Sequence, residues 1–256
     1  KQCSGVLATG ARLQRFNHFS STLEAMGALP DYQDLTAMVV HGLQDRRIDQ
    51  LSKGGHETAG FIPIGAVYLV VRDKTINSVG DLAGKKIATL DFDKASPAMV
   101  DRVGALAVPA DLGTLGPKFN NGDVDAVYVS APAIEPFELQ KGMGTAGGIL
   151  RYPLAQATLQ LMVRTDDLPA DFGKTSRAWF ADHVDDGVAI AKKAEARIPE
   201  SSWIDVEGTE DFDDMFVDVR VGLRDAGIYD GTLLKDMRKT RCYRDASRPE
   251  CIEKKE

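Results

Sequence analysis

The sequence predicts an α/β protein with parallel strands, and the clearest evidence lies between residues 78 and 132. Strands and helices alternate there, which predicts a parallel sheet with crossover helices. The elements are a strand at Lys86–Leu90, a helix at Pro97–Gly104, an extended piece at Leu106–Val108, a helix at Leu112–Asn120 and a strand at Ala126–Ser130. Ligands bind beyond the carboxyl ends of such strands, so the loop at 91–95 is the first candidate binding segment.

This loop combines acidic and aromatic side chains beside a marked helix start. Ser96 and Pro97 suit the first helical positions, where free backbone N–H groups favour anions. Asp91 and Asp93 are candidates for a cationic or polar part of a ligand, with Phe92 beside them. The alternative is that Asp91 only ends the strand and Asp93 only supports the helix cap.

The N-terminal segment supplies the candidate anion-binding residues. Residues 4–10 predict a buried parallel strand that ends in glycine, and Arg12 and Arg15 follow at its carboxyl end. Arginine presents a planar fork that matches a carboxylate or phosphate. Asn17 is a weaker candidate, and surface or inter-lobe salt bridges are the alternative role of the two arginines. Since a parallel sheet rarely starts with a bare strand, we expect earlier strand–helix material upstream of Lys1.

Helical periodicity marks four further segments and one helix start. The segments are 31–51, 168–197 (one long helix or two), 209–226 and 233–240. Ser21 and Glu24 have the spacing of a capping box, in which the two side chains satisfy free N–H groups at a helix start.

Phe61–Val71 is the longest strand candidate, and Pro63 and Gly65 would bend it. Such strands cross between the lobes of two-lobed binding proteins and act as hinges. Tyr68 either reaches the cleft or packs in the core.

The second half of the chain adds candidates after and within the return strands. Tyr128 lies on the strand at 126–130, and Glu135 follows that strand directly. Arg151 and Gln156 lie in the return strands at 149–164, where Gln156, Thr158 and Gln160 alternate on one strand face. A polar stripe of this kind indicates either ligand contact on a buried sheet or an exposed edge strand.

The central stretch resembles the second lobe of TRAP-type extracytoplasmic solute-binding proteins. The matching residues are DLAGKKI at 81–87, VGA at 103–105 and NGDVD at 121–125. The arginine that clamps carboxylates in those proteins falls on Ala88 here, which argues against their usual acid-sugar or dicarboxylate ligands. A closer resemblance, along nearly the whole chain, is to the AdeT-like solute-binding proteins of Gram-negative bacteria, once linked by name to drug efflux. Its landmarks are QCSGVLATGARLQRFNHF, LAGKKIATLDFDKA, PKFNNGDVDA, GTAGGILRYPLAQ and LRDAGIYD.

These resemblances imply a two-lobed periplasmic-binding-protein type II fold, with parallel-sheet lobes joined by hinge strands and a long helix. The expected division is lobe I at 1–67 with 155–241, lobe II at 68–154, and a tail at 242–256. The implied function is capture of a small polar metabolite, anionic or zwitterionic, by lobe closure and its delivery to membrane transporter subunits. A periplasmic accessory partner of a transport or efflux complex, with no small-molecule ligand, is the alternative. Either implies a periplasmic protein whose signal peptide has been removed.

Composition excludes several function classes. The formal net charge of −7 argues against nucleic-acid binding, which needs a basic surface. The longest apolar run, 59–71, is too short to insert across a membrane. The sequence contains no nucleophile elbow, P-loop or HExxH motif, so we expect no enzyme activity, no cofactor and no metal.

Three cysteines occur, at positions 3, 242 and 251. Cys242 and Cys251 lie in a polar tail that we interpret as free of helix, and we expect them to form a small disulfide loop in an oxidising compartment. Cys3 then has no partner within the sequence, so we expect either a partner upstream of Lys1 or a buried thiol.

Overall fold

The structure is a computed structural model that describes residues 3–256. Its described residues form one mixed sheet with helices on both faces. The strands are β1 (Gly5–Thr9), β2 (Ser52–Lys53), β3 (His56–Val71), β4 (Lys86–Leu90), β5 (Leu106–Ala110), β6 (Ala126–Ser130), β7 (Gly148–Leu150), β8 (Ala155–Arg164) and β9 (Trp203–Ile204). The helices are α1 (Gly10–Leu13), α2 (His18–Ser21), α3 (Tyr32–Ala37), α4 (Ile48–Leu51), α5 (Ser96–Arg102), α6 (Leu115–Asn121), α7 (Leu139–Met143), α8 (Phe172–Asp182), α9 (Val184–Glu195), α10 (Thr209–Asp225), α11 (Gly231–Arg244) and α12 (Pro249–Glu253).

The predicted crossover unit is confirmed. The main path of the sheet runs β1–β8–β3–β6–β4–β5, and β4 pairs in parallel with both β5 and β6. Helices α5 and α6 are the crossovers, each beginning within three residues of its predicted start. The carboxyl ends of β4 and β6 therefore meet at one edge of this half of the sheet, which we call the second lobe.

Strand β1 differs from its prediction in direction and in burial. It pairs antiparallel with β8, with Gly5 opposite Val163, and it lies at the end of the sheet path. Val6 and Leu7 are 46% and 50% exposed. The prediction of a buried parallel strand was wrong, because an apolar run that ends in glycine does not specify which strand will pair with it.

Strand β3 connects the two halves of the sheet, as predicted for the long strand. Residues 56–67 pair antiparallel with β8, and residues 67–71 pair antiparallel with β6. The register shifts between Thr58 and Gly60 and again between Pro63 and Gly65, where the Gly65 φ of +124° favours glycine. The half that contains β1 and β8 is called the first lobe below.

The core lies on both faces of this sheet. Along β3, Leu69 and Val71 pack into one buried cluster, whereas Tyr68 and Val70 pack into a second cluster with α6 and α7. The alternation of neighbours between clusters is the period-two pattern of a strand buried on both faces.

The carboxylate of Glu195 joins helix α3 to strand β3 near the bend of that strand. Glu195, at the end of α9, accepts hydrogen bonds from the hydroxyls of Tyr32 (2.6 Å) and Tyr68 (3.0 Å). The Tyr32 hydroxyl also accepts the backbone N–H of Ala66, next to Gly65. Helix α9 therefore holds α3 and β3 together at the bend.

Two of the predicted helices are interrupted. Segment 31–51 contains α3, a π-helical turn at Met38–Gly42, a 3₁₀ turn at Asp45–Arg47 and α4. Segment 168–197, predicted as one long helix or two, contains two helices, α8 and α9, which are separated at His183 and both pack on β3.

The tail forms the expected disulfide but is not free of helix. Cys242 lies in α11 and Cys251 in α12, with their Cα atoms 5.6 Å apart. Cys3 is a free, exposed thiol. The prediction of a helix-free tail was wrong because α11 continues through the polar, basic residues up to Arg244.

Replacing both Cys242 and Cys251 by serine should lower the free energy of unfolding by about 2–3 kcal/mol, because the crosslink restricts the unfolded chain. Thermal denaturation should show a melting temperature lower by roughly 4–12 °C. Cys3→Ser is the matched control and should melt like the parent protein. Equal melting of the double variant and the parent would contradict a stabilising crosslink.

Candidate functional site

A cavity of about 310 Å³ opens between the two lobes. One side is formed by the end of β1 and helix α1, and the other by the segments that follow β4 and β6. The two predicted loops meet at this cavity, since the Arg12 Cζ lies 4.0 Å from the centroid of the Phe92 ring. This is cation–π geometry, and it brings together residues that are 80 positions apart in the chain.

Five of the predicted site residues line this cavity: Arg12, Phe92, Asp93, Tyr128 and Gln156. They come from both lobes. Six others do not line it: Arg15, Asn17, Tyr68, Asp91, Glu135 and Arg151.

Arg15 and Asn17 point to other partners. The Arg15 guanidinium lies 4.7 Å from the ring centroid of Phe16. Asn17 is buried, accepts the Ser20 N–H as the N-cap of α2, and donates through Nδ2 to the Gln50 carbonyl. Arg12 lies in the short helix α1, whereas Arg15 and Asn17 follow the end of that helix at Leu13.

Tyr68 and Arg151 belong to a structural cluster around Trp203, away from the cavity. The rings of Tyr68 and Trp203 meet edge to face at 5.0 Å, and the Arg151 guanidinium lies 5.2 Å from the Trp203 ring. Arg151 also forms ion pairs with Glu200 and Asp205. These residues hold β9 against β7.

The two remaining carboxylates are also outside the site. Asp91 is exposed and does not line the cavity. Glu135 lines a different, larger cavity of about 760 Å³ between residues 131–143 and helix α9. The chain turns after Ser130 through a 3₁₀ turn, Ala131–Ala133, which directs Glu135 away from the first cavity.

Asp93 mainly organises its own loop. Its carboxylate accepts the backbone N–H groups of Ala95 and Ser96 and the hydroxyls of Ser96 and Tyr128. The Tyr128 hydroxyl in turn accepts the Leu90 N–H, and burial raises the pKa of this phenol. The alternative interpretation of Asp93, support of the helix start, is therefore what its contacts show.

Glu24 joins α1 to β8 and does not form the predicted helix cap. Its carboxylate accepts the backbone N–H groups of Gly10, Ala11 and Thr158 and the Thr158 hydroxyl, all at 2.8–2.9 Å. It lines the cavity, and burial raises its pKa although these hydrogen bonds oppose the shift. The predicted capping box with Ser21 was wrong, since Asn17 caps α2. A single acidic residue within the apolar run 23–29 was the available signal.

The polar stripe of β8 is buried, so the exposed-edge interpretation was wrong. Strand β8 lies between β1 and β3, and Gln156, Thr158 and Gln160 are at most 1% exposed. Thr158 binds Glu24, and Gln160 donates to the Ser20 carbonyl. Gln156 lines the cavity, and its Oε1 atom has no hydrogen-bond partner among residues 3–256.

The cationic side chains at the cavity are available to bind a ligand, whereas the acidic side chains there already accept hydrogen bonds from the protein. Arg12 and Lys94 are exposed and line the cavity, and neither has a carboxylate within 4.0 Å in the part of the chain described here. The acidic groups Glu24 and Asp93 have several donors each. An anion can therefore pair with either cation without displacing an internal ion pair.

Most of the remaining wall is apolar. Among the side chains that line it are Met26, Met99, Leu112, Leu115, Phe137 and Leu154. Ala88, at the position of the carboxylate-clamping arginine in the TRAP-type pattern, is fully buried in the second core cluster and does not line the cavity.

Within residues 3–256 no group of three or more His, Cys, Asp and Glu side chains is arranged to hold a metal ion. The same residues include no helix with both the length and the apolar character needed to cross a bilayer.

Comparisons with known proteins agree with this geometry. A family model described as "Solute-binding protein AdeT 1/2" matches residues 1–256. A curated relative from Acinetobacter baumannii, named "Probable solute-binding protein AdeT1", is 37% identical over 254 residues, which are 98% of this chain and 83% of the relative.

Solved structures of TRAP periplasmic solute-binding proteins share the fold. One from Desulfovibrio salexigens, with bound orotic acid, has a TM-score of 0.72 at 16% identity and covers 93% of this chain and 79% of its own. Another from a Sulfitobacter species, with bound β-D-galacturonate, has a TM-score of 0.74 at 14% identity and the same coverage. The chain is therefore an α/β protein with the two-lobed fold of TRAP periplasmic solute-binding proteins.

Proposed function

Because the chain belongs to the AdeT 1/2 family of solute-binding proteins, we propose that it captures a small anionic metabolite between its lobes and delivers it to a membrane transporter. The proposal places it in the periplasm, as its structural relatives are. It includes no catalytic step. We place lobe I at 1–67 with 155–241, lobe II at 68–154, and the tail at 242–256.

Arg12 carries this proposal. Its guanidinium is at the entrance of the inter-lobe cavity, stacks on Phe92 of the opposite lobe, and has no ion-pair partner among the described residues. A guanidinium that bridges two lobes and is free to bind a carboxylate couples ligand binding to lobe closure. Both structural relatives described above hold carboxylic acids, which supports an anionic ligand for this chain.

The contacts favour an anion over a zwitterion. Asp91 and Glu135, the expected partners for a cationic group, do not line the cavity. Glu24 and Asp93 do, but their oxygens already accept several hydrogen bonds from the protein. An ammonium group would therefore lack a free carboxylate.

The bend in β3 supports a closure mechanism. The strand changes partner from β8 to β6 at Val67, directly after the glycine with positive φ and the register shift. Rotation about these few residues changes the distance between Arg12 and Phe92 without breaking either half of the sheet. A ligand that contacts both sides stabilises the closed arrangement.

Arg12→Gln should weaken binding of an acidic ligand about 10- to 150-fold, the effect of losing a charge-assisted hydrogen bond. The measurement is a thermal-shift screen of organic acids, amino acids and cationic metabolites. A ligand at one hundred times its Kd should raise the melting temperature of the parent by about 5–10 °C.

Arg15→Gln is the matched control, because Arg15 is an exposed arginine three residues away that does not line the cavity. It should retain the shift that Arg12→Gln loses. If no acid stabilises the parent at millimolar concentration, the solute-binding proposal fails and the accessory-partner alternative is favoured. If both variants keep full affinity, the site assignment is wrong.

A further inference from the structure

The inter-lobe cavity has two properties that a general acid-binding site does not require: its wall is mostly apolar, and two of its lining residues carry buried polar atoms that have no hydrogen-bond partner among residues 3–256. From these we propose that the ligand is an organic acid with an apolar ring and a hydrogen-bond donor on that ring, rather than a sugar acid. This rests on the proposed function and specifies the substrate class of the same site.

The apolar wall is the first observation. Leu112, Leu115 and Phe137 from the second lobe and Met26 and Leu154 from the first lobe line the cavity. A hexuronic acid carries a hydroxyl on most of its ring carbons, and each hydroxyl that is buried without a partner weakens binding. An apolar ring gains affinity from the same surface, because burial of apolar area is favourable.

The second observation is that two polar side chains of the lining have no hydrogen-bond partner for one buried oxygen each among residues 3–256. Gln156 is 1% exposed, and its Oε1 is an acceptor without a donor among residues 3–256. The Thr9 hydroxyl, which also lines the cavity, is buried and likewise unpartnered in the described chain. Buried side-chain acceptors are normally satisfied, so Gln156 indicates a donor on the ligand.

The neighbouring polar groups do not supply that donor. Gln14 also lines the cavity, but its Nε2 donates to the Ile228 carbonyl. Gln160 lies four residues along the same face of β8, and its Nε2 donates to Ser20 and Thr158. The acid group of the ligand is assigned to Arg12, with Lys94 as a second cation at the cavity.

Three probes separate these requirements. Indole-3-acetate has a carboxylate, an apolar ring and a ring N–H. 1-Naphthaleneacetate has the carboxylate and a ring of similar size without the N–H. D-Galacturonate has a carboxylate on a polyhydroxylated ring.

Isothermal titration calorimetry of the parent should give affinities for indole-3-acetate about five- to tenfold tighter than for 1-naphthaleneacetate, and at least 100-fold tighter than for galacturonate. Gln156→Met keeps the side-chain length and removes the acceptor. It should abolish the preference between the two ring acids and leave the affinity for 1-naphthaleneacetate within about twofold. Gln14→Met is the matched control and should keep the preference.

The outcomes distinguish this inference from the proposed function. If galacturonate binds more tightly than both ring acids and loses affinity in Arg12→Gln, the solute-binding function stands and the ring-acid inference is overturned. If Gln156→Met keeps the preference for indole-3-acetate, the assignment of the donor to Gln156 is overturned. If no acid of either class binds, the proposed function itself fails.

Discussion

Replacing Glu256 by glutamine should lower the free energy of unfolding by about 3–5 kcal/mol, because it removes the carboxylate that pairs with buried Arg220 and one of the two carboxylates that pair with buried Arg241. Arg220 and Arg241 are each 1% exposed. Glu256 forms ion pairs with both of them, through Oε1 to Arg220 and through Oε2 to Arg241 at 2.7 Å. The Arg220 and Arg241 guanidiniums also donate to the Met26 and Ala28 carbonyls, so they cannot move to solvent without breaking the first lobe.

Chemical denaturation is the measurement, with Glu253→Gln as control. Glu253 is a carboxylate in the same tail, but its partner Lys255 and its own side chain are both about half exposed. Exposed pairs contribute at most about 1 kcal/mol, so the control should unfold close to the parent. If Glu256→Gln and Glu253→Gln unfold at the same denaturant concentration, the Glu256 carboxylate does not stabilise the buried arginines.

Glu24→Ala is expected to be the second most damaging substitution, with a loss of about 2–4 kcal/mol. The alanine leaves the N–H groups of Gly10, Ala11 and Thr158 without their acceptor. Each unsatisfied buried donor costs about 1–3 kcal/mol. Water that enters from the adjoining cavity offsets part of the sum over the three donors. Glu24→Gln retains one acceptor oxygen, so it should lose less than the alanine variant in denaturant unfolding.

The pH dependence of unfolding in the parent and in Glu24→Gln tests the raised pKa of Glu24. Burial favours the neutral carboxyl in the folded protein, so the folded pKa lies above the ordinary value of 4.5. As the pH rises from 4.5 through the folded pKa, the parent should therefore lose free energy of unfolding relative to Glu24→Gln. Below pH 4.5 the difference between the two proteins should be constant. A difference that moves the other way would show that the four hydrogen bonds outweigh burial.

The second lobe was the part of the fold that the sequence specified best. The strands β4 and β6, the helices α5 and α6 and the loop between β4 and α5 are local patterns with caps, turns and clear periodicity. The direction of β1 was not predictable in the same way. Its paired residues on β8 lie 150 to 158 positions away, and nothing local to β1 describes that partner.

The predictions of site residues also failed where contacts between distant elements decide the position of a side chain. Arg12 and Phe92 were found because each follows the end of a predicted strand, and these two segments meet at the cavity between the lobes. Arg15 and Asn17 were included with Arg12 because the sequence does not show that α1 ends at Leu13, before both of them, or that Asn17 caps α2. Glu24 was assigned to a local cap, whereas its partners Gly10 and Thr158 belong to other elements of the first lobe. Contacts between distant elements decided these cases.

The path of β3 has a consequence for the order in which the chain folds. The second-lobe elements β4 to β6 are continuous in sequence, from Lys86 to Ser130. The first lobe needs β8 beside β1 and the packing of α10 and α11, the last of which ends at Arg244. As the chain emerges from its N-terminus, the middle of the protein can therefore acquire structure before its beginning, which cannot pair until the C-terminal part has emerged. During that interval the N-terminal segment is exposed and unpaired, and we therefore expect the chain to depend on chaperones.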